Sequence, residues 1–158
     1  MKIGVLSDTH SKRLPVQLIA VLEQVDLIIH VGDFCDVDDY EALTKYNKLE
    51  AVCGNMDCSE LCTMLPQKKI LDLEGFKIGL FHGRGAPHTV LNKAAEVFRQ
   101  EKPDVVIFGH SHQPINKEID GVLFFNPGSP NDKIFAPYCS YGIIELTPQG
   151  INAEIIKI

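Results

Sequence analysis

Five short apolar runs in this chain each stop at a polar block built from Asp, Asn, His and Gly. Residues 2–7 run into Asp8-Thr9-His10, residues 26–31 into Gly32-Asp33, and residues 49–53 into Gly54-Asn55. Residues 76–81 run into His82-Gly83, and residues 104–108 into Gly109-His110-Ser111-His112. Runs of five or six residues are too short for core helices and read as strands buried on both faces. Whatever the fold, it must carry several interior strands that end in chemistry-bearing side chains.

The segments between the runs set the layers. Residues 14–24 place Leu14, Leu18, Val21 and Leu22 at helical spacing, and residues 38–45 read as a short helix. Strand–helix alternation in this half predicts a parallel sheet with helices on its faces. Residues 69–74 and 76–81 flank Gly75 as a hairpin. Residues 87–100 predict a helix, with Pro87 in its first turn and Val90, Leu91, Ala94, Ala95 and Phe98 on one face. Residues 115–119 and 122–125 flank Asp120-Gly121, a type I′ hairpin signal. Residues 141–146 and 151–158 form a last hairpin around Gln149-Gly150. The expectation is an α/β fold, parallel in the first half and antiparallel in the second, with two sheets packed face to face.

A length of 158 residues predicts one domain, 1–158, with enough buried surface to fold without a disulfide or structural metal. The five cysteines (Cys35, Cys53, Cys58, Cys62, Cys139) are odd in number and form no C-x-x-C pair, so reduced thiols packed as small apolar residues are expected. Fifteen basic against 21 acidic residues give a net charge of −6, which argues against a nucleic-acid coat or an anionic membrane surface. No stretch is long enough to span a bilayer, and the first apolar run is too short for a secretory signal, so the expected compartment is the cytoplasm.

Ligands in open α/β sheets gather beyond the carboxyl ends of strands. Five such ends would bring Asp8, His10, Asp33, Asn55, His82, His110 and His112 to one rim. Imidazole with carboxylate and no thiolate suits Mn²⁺, Fe²⁺, Co²⁺, Ni²⁺ or Zn²⁺. Seven ligands exceed one tetrahedral ion, whereas two ions sharing a carboxylate would use them all, an arrangement that recurs in phosphoester hydrolysis.

In order and spacing, Asp8-Thr9-His10, Gly32-Asp33, Gly54-Asn55, His82-Gly83 and Gly109-His110-Ser111-His112 resemble the signature of the calcineurin-like metallophosphoesterases. The short length, His30 before Gly32-Asp33, and Asn126-Pro127-Gly128-Ser129 are similar to the compact prokaryotic phosphodiesterase subgroup. The resemblance implies a four-layer α/β/β/α sandwich. It implies a first metal on Asp8, His10 and His112, a second on Asn55, His82 and His110, and Asp33 bridging the two. Mn²⁺ is the expected ion. A hydroxide held between the metals would attack phosphorus, with Asp33, Asn55 and His110 orienting nucleophile and phosphate. The expected substrate is a small phosphodiester, with weak monoester activity. Where many members have a histidine after the Asn, this chain has Met56-Asp57. Methionine cannot protonate a leaving oxygen; Asp57 is a candidate acid, or else a loop cap.

The remaining polar residues read mostly as structural. His30 is expected in the core or behind a ligand, and His88 in solvent. Thr9 orders its loop. Lys12 and Arg13 are solvated loop charges, and Arg84 is the stronger phosphate-clamp candidate. Asn126, Gly128 and Ser129 supply hydrogen bonds at the rim or brace a loop. Phe34 covers the site, and Cys35 takes no assigned role. The competing function is a protein-binding scaffold of the same fold, of the retromer small-subunit type, whose metal site is degenerate; seven filled ligand positions argue against it. A homo-oligomer is left open, with the hairpin 141–158 as the edge that would build it.

Overall fold

A computed structural model describes residues 1–158. The chain begins with β1 (Lys2–Leu6), α1 (Val16–Leu22), β2 (Leu27–His30), α2 (Val37–Thr44), β3 (Leu49–Ala51) and α3 (Ser59–Met64). It continues through β4 (Lys68–Leu73), β5 (Phe76–Phe81), a 3₁₀ turn (Pro87–Thr89), α4 (Val90–Val97) and β6 (Val105–Phe108). It ends with β7 (Ile115–Ile119), β8 (Val122–Asn126), β9 (Ser140–Thr147) and β10 (Gly150–Lys157).

The strands form two five-stranded sheets, ordered β10-β9-β1-β2-β3 and β4-β5-β6-β8-β7. Period-two alternation splits each buried strand between layers. Ile3 and Val5 of β1, Ile29 of β2, Ile78 and Leu80 of β5, and Val105 and Ile107 of β6 meet in the core between the sheets. Leu6 and Ile28 face outward onto Leu18 and Leu22 of α1, Leu43 of α2 and Leu61 of α3. Val106, Phe108 and Phe124 face the other way, onto Val90, Ala94 and Phe98. The architecture is the expected α/β/β/α sandwich, and no helix is long and apolar enough to cross a membrane.

Several expectations are corrected. The second half is not purely antiparallel, because β5, β6 and β8 run parallel at its centre. The β7–β8 hairpin folds back so that β8, whose Leu123-Phe124-Phe125 segment has an apolar side chain for each face, takes the interior place. The helix expected over 14–24 is only Val16–Leu22, starting after Pro15. The helix expected over 87–100 is a 3₁₀ turn followed by the shorter α4. The α3 helix was not anticipated at all; it buries only Leu61. Nor are all the cysteines free thiols: Cys53 is bonded to Cys62, because α3 returns Cys62 to the end of β3.

The outer edges are not bare. Asn116 on β7 donates its side-chain amide to the Ala153 carbonyl on β10 at 2.7 Å. Across the opposite edge, Lys69 on β4 pairs with Glu50 on β3 at 2.7 Å.

His30 ends β2 on the helix side, fully buried and stacked on Phe34 with ring centroids 3.7 Å apart. The Gly32 amide can only donate, so Nδ1 accepts it (3.2 Å), and Nε2 carries the proton toward Thr9 Oγ1 (3.1 Å). The pocket therefore fits the neutral ring. Burial takes its pKa down from 6.5 to about 3, against the opposing pull of the Asp8 and Asp33 charges. The sign follows from linkage: the contribution is intact above 6.5 and is lost as pH falls toward 3, because only the unfolded chain takes up the proton. We expect His30→Gln to flatten the acid limb. Urea unfolding of wild type and variant at about pH 6.5 and 4.5 should show roughly 2 kcal/mol less loss in the variant. Equal losses would reject a neutral His30.

Candidate metal centre

The parallel strands deliver the site. Asp8 and His10 follow β1, Asp33 follows β2, and Asn55 follows β3. His82 follows β5 in the other sheet, and His110 and His112 follow β6. The chain must turn sharply past each strand. Asp8 (φ 57°), His10 (51°), Asp33 (62°), His110 (65°) and His112 (52°) all lie in the left-handed region. Asp and His enter that region more readily than most side chains, and such strain concentrates at functional sites.

Asp8 is wholly buried. Its Oδ2 accepts from the Ser7 hydroxyl at 2.6 Å and the His110 amide at 3.1 Å. Its Oδ1 meets no donor outside the imidazoles around it. That oxygen lies 3.2 Å from His112 Nε2, 3.9 Å from His10 Nε2 and 4.0 Å from His82 Nε2. Asp33 Oδ2 lies 3.3 Å from His82 Nε2 and 4.0 Å from His10 Nε2, while its Oδ1 accepts from the Met56 amide at 2.7 Å. Two triads have ligand geometry: Asp8, His10 and His112, and Asp8, Asp33 and His82. Asn55 Oδ1 joins the second at 3.1 Å from His82 Nε2, and the His110 ring stands edge-on to His82 at 5.3 Å. All seven candidate ligands thus come together. Asp8 as well as Asp33 reaches imidazoles on both sides.

The ring tautomers fit a cation. His82 Nδ1 is 2.7 Å from the Val31 carbonyl, which can only accept, so the proton sits there. In the neutral ring, Nε2 then turns a lone pair toward Asn55 Oδ1 and Asp33 Oδ2. Likewise His110 Nε2 donates to the Gly85 carbonyl at 2.8 Å, which leaves Nδ1 bare. His112 Nδ1 donates to Asp132, which leaves Nε2 facing Asp8. Converging lone pairs repel unless a positive charge sits among them. Without metal, protons supply it. Burial opposes charge on His82, but the Asp33 hydrogen bond and the charges of Asp8 and Asp33 prevail and raise its pKa. Burial likewise opposes charge on His112, yet the hydrogen bond and charge of Asp8, with Asp132, take it up to about 9. Burial would raise Asp8 and Asp33; hydrogen bonds from His112 and His82 respectively hold both below the usual carboxylate range.

The match to known proteins follows this geometry. Residues 1–149 match the calcineurin-like phosphoesterase superfamily domain. The chain belongs to that superfamily. It is 32% identical over 162 residues to a probable metallophosphoesterase of Methanothermobacter thermautotrophicus, covering 99% of this chain and 92% of that one. It is 31% identical over 146 residues to a phosphodiesterase of Methanocaldococcus jannaschii, covering 81% and 83%. The structure of Entamoeba histolytica Vps29 complexed with Zn²⁺ shares the fold, with a TM-score of 0.76, 24% identity and 99% of each chain covered.

Around this phosphoesterase centre, other residues settle into plainer places. Asp57 accepts from the amides of Gly54 (2.7 Å), Cys35 (2.8 Å) and Asp33 (3.1 Å), and so ties the β2 and β3 loops together. Phe34 does not cover the site; it is buried against His30. Cys35 Sγ lies 3.6 Å from His10 Nδ1. Asn126 braces the β6 loop through the Gly109 carbonyl (3.0 Å) and Ser111 Oγ (3.1 Å), and Ser129 Oγ donates to the Asp8 carbonyl at 2.7 Å. Lys12, Arg13, Arg84 and His88 are exposed. Sequence reasoning missed Asp132, which is buried behind His112.

Proposed function

We propose that this chain is a two-metal phosphodiesterase acting on small phosphodiesters, with Mn²⁺ as its working ion. The observation that carries the reading is Asp8 Oδ1: a wholly buried carboxylate oxygen that meets no donor outside the imidazoles, facing three of their nitrogens. Burying an anionic oxygen among neutral imidazoles costs several kcal/mol unless a proton or a metal cation sits there. Asp8, His10 and His112 would hold one ion, and Asn55, His82 and His110 the other, with Asp33 between them. Such a pair supplies an ionisable water near neutral pH and positive charge against the phosphoryl oxygens.

The protein's own part is orientation. Val31, Gly85 and Asp132 each fix one ring by its N–H, so the free nitrogens are aimed before any ion arrives. Asp57 has its oxygens occupied by three amides, and the side chain after Asn55 is Met56, which is exposed. Neither suits a proton donor. Solvent then protonates the leaving oxygen, which favours esters with acidic leaving groups. The net charge of −6 supports a small substrate over a nucleic-acid polymer.

The test is hydrolysis of bis-p-nitrophenyl phosphate and p-nitrophenyl phosphate by chelator-treated, then Mn²⁺-loaded protein. Turnover should vanish with chelation, return with Mn²⁺ and favour the diester. Bound ion without turnover in Mn²⁺, Ni²⁺, Co²⁺ and Zn²⁺ would overturn it in favour of the scaffold reading.

A further inference from the structure

The three anchored rings of the site do not have equivalent supports. His82 and His110 lean on neutral backbone carbonyls, those of Val31 and Gly85. His112 alone leans on a carboxylate, Asp132 Oδ2. Asp132 is buried and tightly held. Its Oδ1 accepts from the amides of Ile134 (2.8 Å) and Phe135 (3.0 Å), and Oδ2 also accepts from that of Ala136 (3.2 Å). Its own amide donates to Ser129 Oγ at 3.1 Å, and Ser129 Oγ donates to the Asp8 carbonyl. Asn131 reaches the Thr9 and Lys12 carbonyls on the same loop. One segment, residues 126–136, therefore braces two of the three ligands assigned to the first ion.

We propose that Asp132 is a positioning residue that makes the two metal sites unequal: the ion on Asp8, His10 and His112 binds more tightly and loads first. The inference rests on the two-ion reading above. An anionic partner on Nδ1 makes the opposite nitrogen a stronger donor and fixes the ring's direction, an effect that a carbonyl supplies only in part. Eight such contacts made by residues 129–136 would be out of proportion for a surface loop cap. Four of them converge on the Asp132 carboxylate, which takes the His112 ring and the three amides.

The experiment is calorimetric titration of Mn²⁺ into chelator-treated full-length protein. Wild type should show a tighter and a weaker class. Asp132→Asn removes the charge and, with its oxygen kept on the Ile134 and Phe135 amides, turns an NH₂ toward His112 Nδ1; it should weaken the tighter class about 10- to 100-fold and leave the weaker within about twofold. His82→Ala and His10→Ala assign the classes, because each removes a ligand of one site only. Asp132→Asn should weaken the ion that remains in His82→Ala and spare the one that remains in His10→Ala. Equal weakening of both classes, or none, overturns the proposal. If wild type takes up a single ion, the two-ion reading fails. Loss of that ion's affinity in Asp132→Asn would still support Asp132 as the positioning residue, and unchanged affinity would overturn it. Thermal unfolding in chelator separates a folding defect from a binding defect, since Asp132→Asn should unfold within a few degrees of wild type.

Discussion

Asp33→Asn should lower diester turnover by about 10³-fold or more while leaving the fold intact, because the amide is forced to point the wrong way. Asp33 Oδ1 accepts the Met56 amide at 2.7 Å, a contact that only an oxygen can make. An asparagine must therefore place its own oxygen there. Its NH₂ then replaces Oδ2, which lies 3.3 Å from His82 Nε2 and 4.0 Å from His10 Nε2. Two N–H donors would face the position of a cation, and the one anion assigned between the two ions would be gone. The backbone is not the cause of the loss. Asp33 sits at φ 62°, and asparagine enters that region as readily as aspartate. Metal content, turnover and thermal unfolding of the variant decide the matter. Near-normal turnover, or loss of structure in step with activity, would remove Asp33 from the bridging role.

The candidate ligands were legible because each ends an apolar run, so strand periodicity and residue chemistry point to one place. Asp8 and His112 are more than a hundred positions apart in the chain, yet both are addressed by the strand before them. Asp132 had no such address. It lies in a polar loop after Asn126-Pro127-Gly128-Ser129, and its direction depends on a backbone reversal created by its own contacts with Ile134 and Phe135. The order of β6, β8 and β7 was hidden for a related reason. The Asp120-Gly121 turn, with φ of 51° and 79°, fixes which strands are partners but not which of them goes inside. The two-sided apolar content of Leu123, Phe124 and Phe125 was the available signal. Cys53 and Cys62 are joined only because an unforeseen short helix intervenes, and a spacing of nine has no local signature.

Gly54→Ala should damage both stability and activity, and for a reason unrelated to glycine's dihedral freedom. Its φ is ordinary; the constraint is closeness. A methyl at Gly54 would lie 2.3 Å from the Asp33 amide nitrogen and 2.2 Å from Asp33 Oδ1. The nitrogen is backbone, and that backbone is pinned: the Asp33 amide donates to Asp57, and the Asp33 carbonyl accepts from the His10 amide at 3.0 Å. Relief must come from separating the β2 and β3 loops, which breaks the three amide contacts of Asp57 and carries Asn55 away from His82. Overpacking of this kind costs about 3 kcal/mol, which for a chain of this length lowers Tm by roughly 6–12 °C. Turnover should fall at least as far as in Asp33→Asn. The two variants therefore separate by stability: the charge change spares Tm, and the added methyl does not. Should Gly54→Ala keep both its Tm and its turnover, the loops are not in the close contact on which the site depends, and the placement of Asp33 against Asn55 would have to be redrawn.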